Sequence, residues 1–231
     1  MKPSIAFAAA AAASLIVASA ASAQDPAHPN IAGVWTLTAP VAAARTIDGK
    51  VPPLLPAARA VYEKHLAQAK AGDRSFDGVS DCLPLGMPYI QLIDKPIQIL
   101  QKPHTIYFLY QENRLPRRAY IDQQHPDDLD TSYLGDSVAK WEGDTLVVDT
   151  TTMNDLTVLD ASGLPHSDQL HVVERFRLVG GQLENRITIT DLKTYSAPWT
   201  TVARYRKLPA DYHMLEEVCR AQSLQAAPTG K

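Results

Sequence analysis

The sequence predicts a mainly β protein, a single antiparallel β-barrel or sandwich with one inserted N-terminal helix. Short segments rich in Val, Ile, Thr and aromatic residues recur along the chain, and turn-forming residues separate them. The clearest hairpin turns are Glu142-Gly143-Asp144 and Gly180-Gly181. Because full closure removes exposed strand edges, a barrel is favoured over a two-sheet sandwich.

The elements are predicted in order along the chain. A first strand covers 31–38, and a helix covers 57–71, where Pro56 starts it and Gly72 stops it. Further strands are predicted over 97–100, 105–111, 117–122, 138–141, 145–151, 170–178, 182–191 and 200–207. Short strands joined mostly by tight turns predict an antiparallel meander.

The N-terminus has the features of a secretory signal peptide. Lys2 precedes an apolar, alanine-rich stretch over 5–17, and Ala21-Ser22-Ala23 has the small-x-small form of a cleavage site. A membrane anchor is disfavoured because the apolar stretch is short. We therefore expect a signal peptide over 1–23, a single β-rich domain over 24–231, a periplasmic or secreted location and no membrane insertion.

Charge and cysteine content narrow the class of protein further. The formal net charge is −3 and no basic stripe is present, which argues against nucleic acid and anionic membranes as partners. Cys82 and Cys219 are the two cysteines, and in an oxidising compartment they are expected to form one disulfide. Such a bridge stabilises by about 4 kcal/mol on the chain-entropy model. A catalytic thiol is disfavoured because no histidine lies near either cysteine in sequence.

Glu174 is the first candidate catalytic residue. Alternation along the predicted strand places Glu174 on an apolar, inward face and His171 and Arg175 on the opposite face. An unpaired buried carboxylate is costly, so this position requires a partner or a function. Burial raises a carboxyl pKa towards neutrality, where the group acts as general acid or base. The alternative is a structural salt bridge with an arginine from a neighbouring strand, such as Arg186 or Arg204.

His166 is the second candidate. It follows Pro165 in a polar loop that we expect at the barrel rim, where ligand-contacting residues collect. It is expected to shuttle protons with Asp168 orienting it, and the alternative is a hydrogen-bonded loop histidine. No metal site is expected, because His171 and Glu174 are three apart on a strand and point to opposite faces.

Several residues are candidate ligand contacts. Arg114, Arg117 and Arg118 form a local basic cluster that suits a carboxylate or an acidic partner loop, and Tyr120 follows on the same strand. Trp199 either lines a cavity with neighbouring aromatic residues or packs in the core. His171 and Asp136 complete the expected ligand contacts. The sequence has no phosphate loop, nucleophile elbow or haem motif, so no cofactor is expected.

Four segments resemble a family of exported bacterial proteins that has no assigned activity. They are the run from Trp141 to Thr150, the run from His166 to Phe176, Tyr195-x-x-Pro198-Trp199-Thr200 and the Cys82-Leu83-Pro84-x-Gly86 loop. Where that family has Gly-His-Ser, this chain has Gly135-Asp136-Ser137. If the histidine serves chemistry in the family, the resemblance implies changed chemistry or Asp136 in its place. Gly33-Val34-Trp35 is also similar to the opening of lipocalin-like (calycin) barrels.

The predicted function is that of an exported, cofactor-independent enzyme of the lyase, isomerase or hydrolase type. It would transfer protons on a small organic or aromatic substrate in a barrel cavity, with Glu174 and His166 exchanging protons. Arg118 or Tyr120 would stabilise developing negative charge. The alternative is a lipocalin-like binding protein for a small apolar ligand, without catalysis. The sequence predicts neither the substrate nor the oligomeric state.

Overall fold

The computed structural model describes residues 28–112, 115–215 and 217. The expected signal peptide, Arg114 and Cys219 lie outside these residues, so export and the disulfide with Cys82 stay predictions. No helix in the described ranges is long and apolar enough to cross a lipid bilayer.

Nine strands form a closed barrel, which confirms the predicted fold class. The helix α1 spans Pro56–Lys70, and 3₁₀ turns cover Val79–Asp81 and Tyr89–Gln91. The strands are β1 (Gly33–Leu37), β2 (Ile97–Lys102), β3 (Thr105–Tyr110), β4 (Pro116–Ile121), β5 (Asp136–Glu142), β6 (Thr145–Thr151), β7 (His171–Val179), β8 (Gln182–Thr190) and β9 (Trp199–Lys207). Closure comes from β1, which pairs with both β2 and β9.

The predicted hairpin turns join the strands that flank them. Val179 pairs with Gln182 across Gly180 and Gly181, whose φ angles are 57° and 81°. Two consecutive residues with positive φ are what a two-residue turn needs to match the twist of its strands, and glycine adopts them without steric cost. Local sequence therefore sets the register of this hairpin.

One pair of strands departs from the predicted antiparallel meander. β4 and β5 run parallel, with Ala119 opposite Ser137 and Ile121 opposite Ala139. The connection over 122–135 is long enough to return the chain to the same end of the barrel before β5 begins, whereas a tight turn reverses direction. The expectation of an all-antiparallel barrel was wrong at this pair.

Side chains and a chain segment fill the barrel interior around Glu174. The segment 85–92 contributes Met87, Ile90 and Gln91, each about 1% exposed. The Gln91 carbonyl oxygen accepts a hydrogen bond of 2.8 Å from the Tyr205 hydroxyl, and its side-chain amide donates to the Tyr110 hydroxyl at 3.0 Å. Gln91 also accepts a hydrogen bond of 2.8 Å from Asn185, which in turn donates to Glu174, so the 85–92 segment packs against the neighbours of Glu174.

Candidate functional site

The predicted alternation along β7 is confirmed. Val172, Glu174 and Phe176 are buried and face the interior, whereas His171 and Arg175 are partly exposed on the outer face. The period of two along a strand thus separates the inner carboxylate from the outer imidazole. The two groups belong to different environments and take part in different networks.

Glu174 forms a buried ion pair with Arg117. Its Oε2 contacts Nη2 of Arg117, which arises from β4, and the exposed fractions of the two side chains are 0% and 1%. Arg117 also donates from Nε to Ser137 Oγ at 2.9 Å and from Nη2 to Thr150 Oγ1 at 2.6 Å. Burial is the largest single effect on Arg117 and lowers its pKa, but the Glu174 carboxylate and the Tyr110 hydroxyl together raise the pKa overall.

The expected salt bridge of Glu174 is thus correct in kind but wrong in partner. Arg186 and Arg204 lie on the outer face, about half exposed, and both contact Glu184. The other Glu174 oxygen, Oε1, accepts a hydrogen bond of 3.0 Å from Asn185. Because both carboxylate oxygens are engaged, the geometry favours a structural pair over the predicted proton transfer by Glu174.

His166 is a hydrogen-bonded loop residue. Its Nδ1 donates to the Ser167 carbonyl oxygen at 3.1 Å, and Nε2 lies 2.8 Å from Thr157 Oγ1. Burial lowers the pKa of His166, because desolvation penalises the imidazolium. The expectation that Asp168 orients His166 was wrong, since Asp168 is exposed and pairs with Lys193 at 2.8 Å.

Trp199 also belongs to the packed core. It is 4% exposed, and its ring lies 5.5 Å from that of Tyr195, centroid to centroid. The Tyr195 hydroxyl in turn donates to the Pro165 carbonyl oxygen at 2.8 Å. Of the two interpretations of Trp199, core packing is the one that the geometry favours.

Three of the expected ligand contacts line one cavity on the outer wall, which we term the β4–β5 pocket. Its volume is about 490 Å³, and Arg118, Tyr120 and Asp136 border it. The pairing of β4 with β5 starts only at Ala119 and Ser137, so the strands separate before that point and leave an opening. The other bordering side chains that matter for recognition are Leu115, Pro116, Tyr133 and Leu134.

Four ionisable side chains form a second cluster on the outer wall, which we term the His–Asp chain: His125, Asp136, Asp149 and His171. His171 Nε2 lies 2.7 Å from Asp149 Oδ1, and His125 Nε2 lies 3.2 Å from the same oxygen. The Nδ1 of His125 lies 2.6 Å from Asp136 Oδ1. The chain therefore runs from β7 through β6 and the 122–135 connection to β5.

Mutual interactions set the charges in the His–Asp chain. The hydrogen bond to Asp149 raises the pKa of His171 and outweighs its desolvation. Burial alone would raise the pKa of Asp149, but the contacts with His171 and His125 lower it overall.

Sequence reasoning identified His171 and Asp136 but missed His125 and Asp149. His125 lies in a polar connection whose path a single sequence does not specify. Asp149 could have been found, because it is a charged residue on the outward face of β6, and β6 directly precedes β7, the strand that carries His171. Asp136 contacts His125, so this position is part of a polar network.

A groove lies beside the His–Asp chain, and we term it the β5–β7 groove. Its volume is about 550 Å³, and Val138, Val147 and Val173 line it together with the ionisable residues His125, Lys140, Glu142, Asp149 and Arg175. In the paired strands, Asp149 lies between Val138 and Val173, and Val147 lies between Lys140 and Arg175. Glu142 pairs with Lys140 at 2.9 Å and with Arg175 at 2.6 Å. Among the described residues, no group of three or more His, Cys, Asp or Glu is arranged to hold a metal ion.

No protein-family model matches the sequence, and no curated protein is a significant match. Among solved structures, the chain is similar to the REP1-NXSQ fatty acid transporter, at 12% identity and a TM-score of 0.38, over 78% of this chain and 96% of that one. It is also similar to lipid binding protein 8 of Caenorhabditis elegans, at 12% identity and a TM-score of 0.37, over 77% and 94%. A mutant of the fluorescent protein UnaG gives 13% identity and a TM-score of 0.34, over 77% and 95%. At these TM-scores the similarities carry no argument about function, and membership of the exported bacterial family stays a prediction.

Proposed function

We propose that this protein binds a small organic molecule that carries a carboxylate and an apolar body, in the β4–β5 pocket. The observation that carries the proposal is the environment of Arg118. Its guanidinium is exposed at the pocket and has no ion-pair partner in the part of the chain that the structure describes. A planar guanidinium binds a carboxylate through two parallel hydrogen bonds.

The rest of the pocket suits the apolar part of such a ligand. Leu115, Pro116 and Leu134 provide apolar contacts, and Tyr120 and Tyr133 provide aromatic surface with hydroxyl groups. Pockets for small ligands generally combine such walls with a few polar groups that fix orientation. We therefore expect the β4–β5 pocket to bind an aromatic or short aliphatic acid more tightly than a free inorganic anion.

The carboxylate of Asp136 also borders the pocket, and its Oδ1 is engaged by Nδ1 of His125 at 2.6 Å. The second arginine of the pocket, Arg117, is neutralised by Glu174, but its Nη1 is buried without a hydrogen-bond partner among the described residues. Arg118 is left as the group that attracts an anion.

The geometry supports binding better than the proton-transfer enzyme predicted on Glu174 and His166. Glu174 is held by Arg117 and Asn185, and both ring nitrogens of His166 have partners. We also infer export through the expected signal peptide over 1–23, which places the binding function in the periplasm or outside the cell.

Calorimetric titration with benzoate, phenylacetate and hexanoate tests the proposal, with the neutral amide of each acid as the paired comparison. We expect saturable binding of at least one acid and much weaker binding of its amide. Arg118→Gln should weaken binding of the acid about tenfold or more, because a charge-assisted hydrogen bond is lost. Arg206→Gln is the matched control, since Arg206 is an exposed arginine on β9 of the same barrel. Equal binding of acid and amide, or equal losses in the two variants, would contradict the proposal.

A further inference from the structure

We propose that the ligand of the β4–β5 pocket is an unbranched alkyl carboxylic acid longer than hexanoate, whose chain runs along the outer wall into a second cavity, which we term the β2–β4 cavity. This inference rests on the proposed function and adds to it the length and shape of the apolar body. The β2–β4 cavity has a volume of about 440 Å³. It lies between the outer faces of β2, β3 and β4 and the segment 208–215 that follows β9.

The floor of the β2–β4 cavity is a row of side chains on the outside of the barrel. Gln98 of β2 pairs with Leu109 of β3, and Leu109 pairs with Pro116 of β4. All three border the cavity, whereas their neighbours along the strands, such as Phe108, are buried on the inner face. An alkyl chain laid across this row therefore contacts the outer wall and not the barrel interior.

The roof of the β2–β4 cavity is Met214 and Leu215. The side-chain oxygen of Gln111 accepts a hydrogen bond of 3.1 Å from the backbone N–H of Leu215, and its amide nitrogen donates to Glu217 at 2.8 Å. Lys95 donates to the same Glu217 oxygen at 2.7 Å. Polar contacts thus hold the roof in place, yet Leu215 remains 63% exposed, which leaves apolar surface for a ligand to cover.

The two cavities meet at Pro116, which borders both. Pro116 is exposed, so an alkyl chain can pass over its ring. Arg118 lies two residues further along the same outer face, at the β4–β5 pocket. From Arg118 to Pro116, and from there across β3 to Gln98, the strand spacings give a path of about 16 Å. An extended hexanoate is shorter than this path, so a longer acid is needed to fill it.

The distribution of charge sets the orientation of the ligand. Arg118 has no ion-pair partner in the described part of the chain, and a guanidinium binds a carboxylate in a planar, bidentate manner. The described residues that border the β2–β4 cavity include no Lys, Arg, His, Asp or Glu. The carboxylate therefore binds at Arg118, and the methyl end of the chain lies beneath Met214 and Leu215.

Calorimetric titration of the full chain with hexanoate, octanoate and decanoate tests the inference, at concentrations below those at which decanoate forms micelles. We expect the Kd to fall about threefold for each added methylene group, because each one is removed from water. Arg118→Gln should weaken the binding of hexanoate and of decanoate by the same factor, since the two acids share the carboxylate site.

Two exposed leucines give a matched pair of variants. Leu215→Gln should weaken decanoate about fivefold, because apolar contact with the end of the chain is lost. It should leave the Kd of hexanoate unchanged, which also shows that the variant is folded. Leu192→Gln is the control, since Leu192 is 64% exposed in the β8–β9 connection, and it should change neither Kd. Met214→Gln should repeat the result of Leu215→Gln.

Three results would overturn the inference. The first is an equal Kd for hexanoate and decanoate, and the second is equal decanoate binding by Leu215→Gln and Leu192→Gln. The third is decanoate binding that tolerates Arg118→Gln, which would place the chain elsewhere on the protein. If hexanoate binds through Arg118 but longer chains gain nothing, this inference fails alone. If no acid depends on Arg118, the proposed function fails as well.

Discussion

Arg117 of β4 contacts Glu174 of β7 inside the barrel, and the two strands are not neighbours in the sheet. The pair thus links two walls of the barrel through its interior. Ser137 and Thr150 accept further hydrogen bonds from Arg117, and Asn185 donates one to Glu174. A buried ion pair is worth little net against well-packed apolar residues, but removing one partner leaves the other charge buried and uncompensated.

Glu174→Gln should therefore destabilise the protein by about 3 kcal/mol or more, because Arg117 remains charged in the interior. Urea unfolding measures the change in the free energy of unfolding. The double variant Arg117→Met with Glu174→Leu should recover much of the loss. Glu184→Gln on the outer face is the control and should have a much smaller effect. Equal losses for Glu174→Gln and Glu184→Gln would contradict the buried pair.

The His171–Asp149 pair should make stability depend on pH. The folded pKa of His171 is raised, so its contribution is complete below the unfolded value of 6.5 and is lost as pH rises through the folded pKa. The folded pKa of Asp149 is lowered, so its contribution is present above the unfolded value of 3.8 and is lost as pH falls through the folded pKa. The Tm difference between wild type and His171→Asn should thus be largest between about pH 4 and about pH 6.5. A difference that is flat with pH would count against the pair.

Gly135→Ala should destabilise the protein and displace Asp136. The φ angle of Gly135 is 67°, and an added Cβ would collide with the carbonyl oxygen of Thr151 and with Met153. Gly143→Ala is the matched control, because Gly143 has a φ of 63° with nothing within 4 Å of the added Cβ. Gly143→Ala should lower the free energy of unfolding by about 1 kcal/mol, because of the left-handed conformation alone. Gly135→Ala should lower it clearly more, because the added Cβ also collides with its neighbours. Similar Tm values for the two variants would show that the atoms around Gly135 move to accommodate the added methyl group.

The expected disulfide between Cys82 and Cys219 is testable without further structure. The oxidised protein should have a mass two hydrogens below the reduced one and no reactive thiol. Cys82→Ser should lower the free energy of unfolding by about 4 kcal/mol, since the bridge closes a long loop of the unfolded chain. Reduction of the wild type should lower its Tm to about that of Cys82→Ser, and reduction of Cys82→Ser should leave its Tm unchanged. Two free thiols in protein recovered from an oxidising compartment would show that the prediction is wrong.

The sequence by itself determined the properties that depend on near neighbours. Alternation along β7 placed Glu174 inside and His171 outside, because the side-chain period of a strand is local. Gly180 and Gly181 specified their hairpin, because only glycine adopts those φ angles readily. The helix and all nine strands were predicted to within a few residues for the same reason.

Only the tertiary structure decided which distant groups meet. The partner of Glu174 is Arg117 rather than Arg186 or Arg204, because the choice depends on which strands face each other across the barrel. His125 reaches Asp149 because the 122–135 connection crosses back and makes β4 and β5 parallel. Such contacts join residues far apart in sequence. Secondary-structure propensity and hydrophobic periodicity are local properties, so neither predicts the path of a long connection.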